Sequence, residues 1–352
     1  MIFKPNCQTT ANSGMPHTDP QRACEVILRN IAQIPIMPNL SRMRTTRRSG
    51  INRITFSEGM PGLVVDEEKG RMYFETSRNV DEEMTKFYER CLAGDVDYFA
   101  ISPEYIPGQE KMLELLQSGT FARPQILKFH VNGPVTWGLT VNDEKGKPIF
   151  YNEAFRDAIV KTMAMKVRWQ EKRINQALPG LPTMVQFGEP MLGTYSSAYA
   201  SISRQDVIDC LNECLAAVGG LTYIHCCANI DWPMLLETNT DILSFDAYEF
   251  AQNLALYPDE VGRFLDRGGV LAWGIVPTTD EKIAAEDRDS LVEKLETAWQ
   301  FLVDKGFDKR RLIELALITP SCGTGSMSDE GAERVFSMTR EVAEVIQQRY
   351  FS

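Results

Sequence analysis

SRQDVIDCLNECLAAVGGLTYIHCCANIDW, residues 203–232, reads as a helix followed by a strand. Ser203 opens the helix with Asp206 three residues on, an approximate capping box, and Val207, Leu211 and Leu215 follow at helical spacing. Gly219-Gly220 stops it. LTYIHC, 221–226, is then a short apolar run of β-forming residues. The same alternation extends in both directions: DYFAIS (97–102), ILKFHV (126–131) and TMVQF (183–187) lie upstream, and DILSF (241–245), GVLAWGIV (269–276) and IELALIT (313–319) downstream. A run near Cys7 to Ala11, followed by a helical stretch from Asp19 to Ile31, supplies an eighth unit. Eight strand-then-helix units predict an α/β fold, the closed (β/α)8 TIM barrel.

Residues 329–347 read as the closing helix, with Val335, Met338, Val342 and Ile346 on one face. An insertion at about 43–90 falls outside the repeat. Within it LVVDEEKGRMYFE has the pattern of a β-hairpin turning at Glu68 to Gly70, and TVNDEKGKPIFY (140–151) has that of a second. With no internal repeat, low-complexity tract or Pro/Ser-rich linker, residues 1–352 are expected to form a single barrel domain.

The chain has 352 residues, 43% hydrophobic and 24% charged, enough to bury a large core. A net charge of -11 excludes a broad cationic surface for nucleic acid or anionic membrane, since such partners require clustered positive charge. Small molecules or other proteins are the expected partners. No stretch has the roughly 20 apolar residues of a membrane span, and MIFKPNCQTTANSG lacks the apolar segment of a secretion signal, so a cytoplasmic location is expected. Eight cysteines in this length are too sparse for a disulfide framework, which turns attention to metal binding or catalysis.

His225 and Cys227 stand at the end of a predicted strand, where barrels of this type gather their reacting groups. On an extended chain residues i and i+2 point to the same side. One ion could therefore take the His225 nitrogen and the Cys227 sulfur while Cys226 faces the helix layer. Cys322, in TPSCGTG, ends the last run and brings a second thiolate to the same rim. Two thiolates and one imidazole suit Zn2+ better than magnesium or calcium, leaving a fourth position for an acid, a water or a substrate thiol. Cys210 and Cys214 fall in the apolar stripe of the 203–218 helix and are read as packing. Cys7, Cys24 and Cys91 have no partner in sequence.

HCCANIDWPMLLETNTDILSFDAY, GGVLAWGIVPT and LITPSCGTGS together resemble the catalytic half of cobalamin-independent methionine synthase. That family sits within the broader group of uroporphyrinogen decarboxylase and the zinc-dependent corrinoid:thiol methyltransferases. The likeness extends to SGMPHTDP, KFHVNGPVTWG and QFGEP, and is strongest to the short, single-barrel "core" methionine synthases. It implies a zinc site of His225, Cys227 and Cys322, with Asp246 in SFDAY where the family places a glutamate and Glu249 as the alternative. It also implies transfer of a methyl group to a thiol, homocysteine in methionine synthesis. The folate-using enzymes carry a further barrel of similar size, so a methylcorrinoid such as methylcobalamin, free or on a corrinoid protein, is the expected donor. The basic run Arg42, Arg44, Arg47 and Arg48 could meet its phosphate, or form a solvated loop.

Two departures from the family's pattern bear on the acceptor. Ser13-Gly14-Met15-Pro16 stands where Gly-Ser is usual, and Gly188-Glu189-Pro190 replaces Asp-Glu-Pro, whose aspartate holds the homocysteine amine. Ser13 and Glu189 are the candidates to take over, with His17 and Asn132 as further substrate contacts; otherwise the thiol lacks an amino group, as in a coenzyme M-type acceptor. His130 is read as packing inside its strand, and Trp137, Tyr195 and Trp273 as packing or mouth-lining aromatics. A uroporphyrinogen decarboxylase-like activity would need no metal and a basic, flat-walled cleft. A corrinoid carrier would need a DxHxxG stretch, which the sequence lacks.

Overall fold

Each short apolar run between amphipathic helices needs cover on both faces, and a parallel sheet wrapped in helices provides it. The computed structural model describes residues 4–43, 51–66, 69–195 and 202–351. Its main sheet has seven parallel strands: β1 (Gln8–Thr9), β2 (Leu127–Asn132), β3 (Thr183–Gly188), β4 (Leu221–Cys226), β5 (Ile242–Phe245), β6 (Val270–Val276) and β7 (Ala316–Pro320). They lie in the order β1-β7-β6-β5-β4-β3-β2, so chain neighbours are sheet neighbours except β1 and β2, and β7 returns beside β1. The helices that follow the strands include α1 (Pro20–Asn30), α2 (Pro134–Thr140), α3 (Glu153–Ala177), α4 (Arg204–Ala216), α5 (Ala247–Leu254), α6 (Arg288–Val303) and the closing α7 (Asp329–Phe351). The Ser203 hydroxyl accepts from the Asp206 N–H at the start of α4, the cap read from the sequence.

The expected eight-stranded closed barrel is corrected in two places. DYFAIS is not a strand. Val96–Phe99 form a 3-10 turn, and Phe99 packs edge-on against Phe87 in a side cluster. The gap between β1 and β2 is crossed instead by residues 34–40. There the Lys128 N–H donates to Pro35 O and the Met37 N–H to Lys128 O on one side, and the Asn39 N–H donates to Ser13 O on the other. Pro35 and Pro38 have no N–H to give, so this segment cannot complete a ladder and the sheet remains open here.

Alternation along the strands divides the core. Phe129, Val185, Ile224, Leu243 and Trp273 face the helices, whereas Ile126, Met184, Leu221, Tyr223, Ile242 and Ala272 fill the barrel interior. Above that apolar floor the interior turns polar. Lys128 is fully buried there, donating to Ala11 O at 2.9 Å with its Nζ 3.3 Å from the centre of the Tyr223 ring. Burial alone holds its ammonium well below the usual lysine range.

The insertion forms its predicted hairpin, Leu63–Asp66 against Arg71–Phe74, with Gly70 in the left-handed region at φ 61°. Asn142–Asp143 adds a third strand, and an Asn142–Pro148 bridge closes the second hairpin as a tight turn. Phe56, also in the insertion, reaches the barrel mouth and meets His130 edge-on at 5.8 Å. No described helix is long and apolar enough to cross a membrane.

Candidate metal centre

His225 lies on the inner face near the end of β4, beside Ser244 of β5 in register. Its Nδ1 is 3.0 Å from the Ser244 hydroxyl, and both side chains are buried. The other nitrogen, Nε2, is buried with no hydrogen-bond partner, an arrangement that costs free energy unless something outside the protein binds there. Cys227 follows one residue past the strand, on the same side as His225. Cys226 turns the opposite way into the helix-side core, as alternation requires.

Cys322 lies two residues beyond β7, in a loop seated on the segment after β1. The Thr324 N–H and hydroxyl both donate to Gly14 O, at 2.8 and 3.0 Å, and the Ser41 hydroxyl donates to Gly325 O at 2.9 Å. The backbones are close enough that a Cβ on Gly323 would stand 3.0 Å from the Gly14 nitrogen. Ligand atoms of His225, Cys227 and Cys322 all lie within 4.8 Å of one another. A tetrahedral zinc with the usual bond lengths sets its donors roughly 3.5–3.8 Å apart, so the three fit that ion with slight tightening. The two thiols face each other across the trio. The Cys322 thiol, then the His225 ring, draws the Cys227 thiol far below its ordinary value, and the same Cys227–Cys322 contact pushes Cys322 up. The direction favours the thiolate at Cys227, the form that ligates metal.

Asp246 caps α5, its Oδ1 accepting from the Glu249 N–H at 3.0 Å. It stands outside the 4.8 Å trio but near enough for the Cys227 charge to act on it; burial, aided by the charges of Glu249 and then Cys227, pushes its carboxyl up to about 7. Glu249 is exposed and paired to Lys282 at 2.5 Å.

The expected substrate contacts disperse. Glu189 is wholly buried, and its two oxygens accept from the Val135 N–H at 3.1 Å and the Thr136 N–H at 2.7 Å. It caps the start of α2 rather than facing a substrate amine. Burial pushes its carboxyl up to about 7 against the pull of those hydrogen bonds. His17 is buried against the last helix, Nε2 3.4 Å from Glu333, which Arg22 also grips. Ser13 is buried, its carbonyl holding the Asn39 N–H. Asn132 ends β2, buried at the mouth and in register with Gly188.

Trp273 faces outward against Phe245 and Trp299, and Trp137 packs on Phe74 with its indole N–H donating to Arg53 O; neither lines the mouth. Arg42 pairs with Asp329 and donates to Met327 O. Arg44, Arg47, Arg48 and the Tyr195 side chain lie outside the described residues. All eight cysteines are free thiols, and Cys214 is packed in the core as read.

Two residues of this site escape the sequence reading. Ser244 sits in DILSF with no motif to mark it. The context of His130 reads as packing, although it shares the parity of Asn132 two residues on and therefore its inward face.

Neither a family model nor a curated protein matches the chain. Among solved structures it is similar to a B12-independent methionine synthase from Shewanella sp. W3-18-1, in complex with selenomethionine, at 15% identity and a TM-score of 0.58, covering 97% of this chain and 98% of that one. It is also similar to a methyltransferase from Methanosarcina mazei, at 13% identity and a TM-score of 0.53, covering 92% and 86%. At these identities the likeness is one of fold, a TIM-barrel-like α/β architecture.

Proposed function

We propose that the chain is a zinc-dependent thiol S-methyltransferase, moving a methyl group from a methylcorrinoid to an aliphatic thiol. The observation that carries this reading is the convergence of His225, Cys227 and Cys322, from two strand ends 95 residues apart in sequence, around a buried nitrogen that has no partner. Of two solved structures of similar fold, one is named a methionine synthase and the other a methyltransferase, which supports the class of reaction.

Bound at the trio, zinc would favour the deprotonated form of a substrate thiol while leaving its sulfur nucleophilic. The chain's own part is positional. Ser244 fixes the His225 ring, Cys227 is drawn toward its thiolate, and the Cys322 proton would leave to solvent as that sulfur became a ligand. Asp246, on which the Cys227 charge acts, is the candidate carboxylate for a fourth position. The acceptor sulfur then attacks the methyl carbon in line. Its new S–C bond would form as the donor's bond to the methyl group breaks, with the bonding pair leaving on the donor.

Homocysteine is the acceptor implied by the sequence resemblance, which would make the product methionine. A second reading, another thiol such as a coenzyme M-type acceptor, is favoured by the engagement of both Glu189 oxygens and by the missing side chain at Gly188. A decarboxylase would have no use for three clustered soft donors.

Metal analysis of the purified protein tests the reading: about one zinc per chain is expected, with a sharp fall in Cys322→Ser. Methylcobalamin demethylation by a panel of thiols then tests the transfer. Unchanged zinc in Cys322→Ser would remove that residue from the site, and a zinc-loaded protein inert toward every thiol would overturn the activity.

A further inference from the structure

We infer that His130 is the residue that contacts the polar end of the thiol acceptor, and that this end is a hydrogen-bond acceptor carrying no ammonium group. The inference rests on the thiol-transfer reading above and deepens it. His130 lies on the inner face of β2, on the same side as Lys128, whose Nζ meets the interior at Ala11 and Tyr223. Its ring crosses toward β3 at Gly188, where a Cβ would stand only 3.1 Å from His130 Nε2. Gly188 is in turn the direct register partner of His225. The imidazole thus occupies the place of a side chain beside the metal trio, separated from β4 by about one strand spacing, roughly 5 Å.

The ring is set for a ligand. Phe56 meets it edge-on at 5.8 Å and limits its rotation. His130 is 7% exposed, and Nδ1 is buried with no hydrogen-bond partner, so the protein leaves its polar capacity unfilled. An acceptor whose sulfur lies at the trio would bring a group about two methylenes away within reach of this imidazole.

The sign of that group follows from what surrounds it. Lys128 and His225 are the charged or chargeable neighbours acting on His130, and both oppose a positive charge. Glu189, the carboxylate next to Gly188, is wholly engaged by the start of α2. A substrate ammonium would find no open carboxylate among these residues to pair with it, whereas a carboxylate, sulfonate or hydroxyl would find a donor in the ring N–H. Burial keeps His130 neutral, its pKa lowered to about 3, leaving one ring N–H to give.

The test uses the full chain loaded with cobalt(II), whose visible bands report thiol ligation without any methyl transfer, alongside methylcobalamin demethylation by the zinc form. The thiol probes are 3-mercaptopropionate, 2-mercaptoethanol, cysteamine and homocysteine. Binding of 3-mercaptopropionate is expected to be at least tenfold tighter than that of cysteamine. His130→Ala should erase that preference and weaken 3-mercaptopropionate about tenfold, with metal content unchanged. Gly188→Ala, which displaces the ring, should do the same and covers the case in which His130→Ala does not fold. Equal binding of the four thiols, tighter binding of cysteamine or homocysteine, or an unchanged preference in both variants at full metal content overturns the inference while leaving thiol transfer intact. Preferential, His130-dependent binding with no demethylation would sustain the inference and sink the transfer reading.

Discussion

Glu189 is placed here as a cap for α2, a reading that a double-mutant cycle with Gly133 puts at risk. A Cβ on Gly133 would fall 2.1 Å from both Cδ and Oε1 of Glu189, so Gly133→Ala cannot coexist with the carboxylate in its present position. Displacing it leaves two N–H groups at the start of the helix without their acceptor, at about 1–3 kcal/mol each. Glu189→Ala removes the same acceptor directly, and about 3–4 kcal/mol is expected for either single variant. Because Gly133 has φ -65°, alanine is sterically permitted there once Glu189 is gone. The double variant should then be only slightly worse than Glu189→Ala, giving a coupling near 3 kcal/mol. For a chain of this length the unfolding entropy is about 0.7 kcal/mol/K, so each single variant should lower Tm by roughly 4–6 °C. Urea denaturation of the four proteins measures the cycle. Additive effects, with coupling under about 0.5 kcal/mol, would refute the cap; so would a stable Glu189→Ala whose only defect is a raised KM for the thiol.

Ser244→Ala should retain the fold while lowering zinc affinity about 10–100-fold, measured by chelator competition, because the His225 ring loses the hydroxyl at Nδ1 that aims Nε2. Cys226→Ala and Cys227→Ala should separate cleanly: the first should cost stability with metal retained, the second should lose metal, and equal metal loss in both would contradict the alternation at the end of β4. Burial raises Glu189 above its ordinary value, so the folded state binds a proton that the unfolded chain has released. Its contribution to stability should be full below about pH 4.5 and decline as pH rises toward 7, by about 1.4 kcal/mol per unit at most. The stability of the natural protein relative to Glu189→Gln should fall over that window in urea titrations, and a pH-independent difference would count against the raised pKa.

Much of the site was legible because strand parity and strand ends are local properties. The i, i+2 spacing of His225 and Cys227 forces them to one side, and the glycines after Cys322 announce a strand-to-loop rim. Parity also held for His130, but its sequence context, apolar on both sides, suggests packing unless Asn132 is taken as the reference. What failed were features decided by distant backbone. Residues 34–40 do not look like a strand because Pro35 and Pro38 break its pattern, yet they span the gap beside Lys128 and Ser13. DYFAIS has β-forming composition, but the turn beginning at Gly94 and Asp95 and the packing of Phe99 on Phe87 draw it into a 3-10 turn. Glu189 could be assigned to substrate only because nothing in GEP shows the helix start at Gly133 that takes both of its oxygens.

The seat of the Cys322 loop has a consequence for assembly. Gly14 and Thr324 are 310 residues apart, yet the carbonyl of one holds the amide and hydroxyl of the other. A polypeptide made from its amino terminus completes β4 with His225 and Cys227 long before Cys322 exists, and the third donor is fixed only when β7 docks beside β1. Tight metal capture therefore becomes a late event, coupled to joining the most distant parts of the ring. Ion uptake during refolding should then mark the moment at which the two sides of the molecule meet.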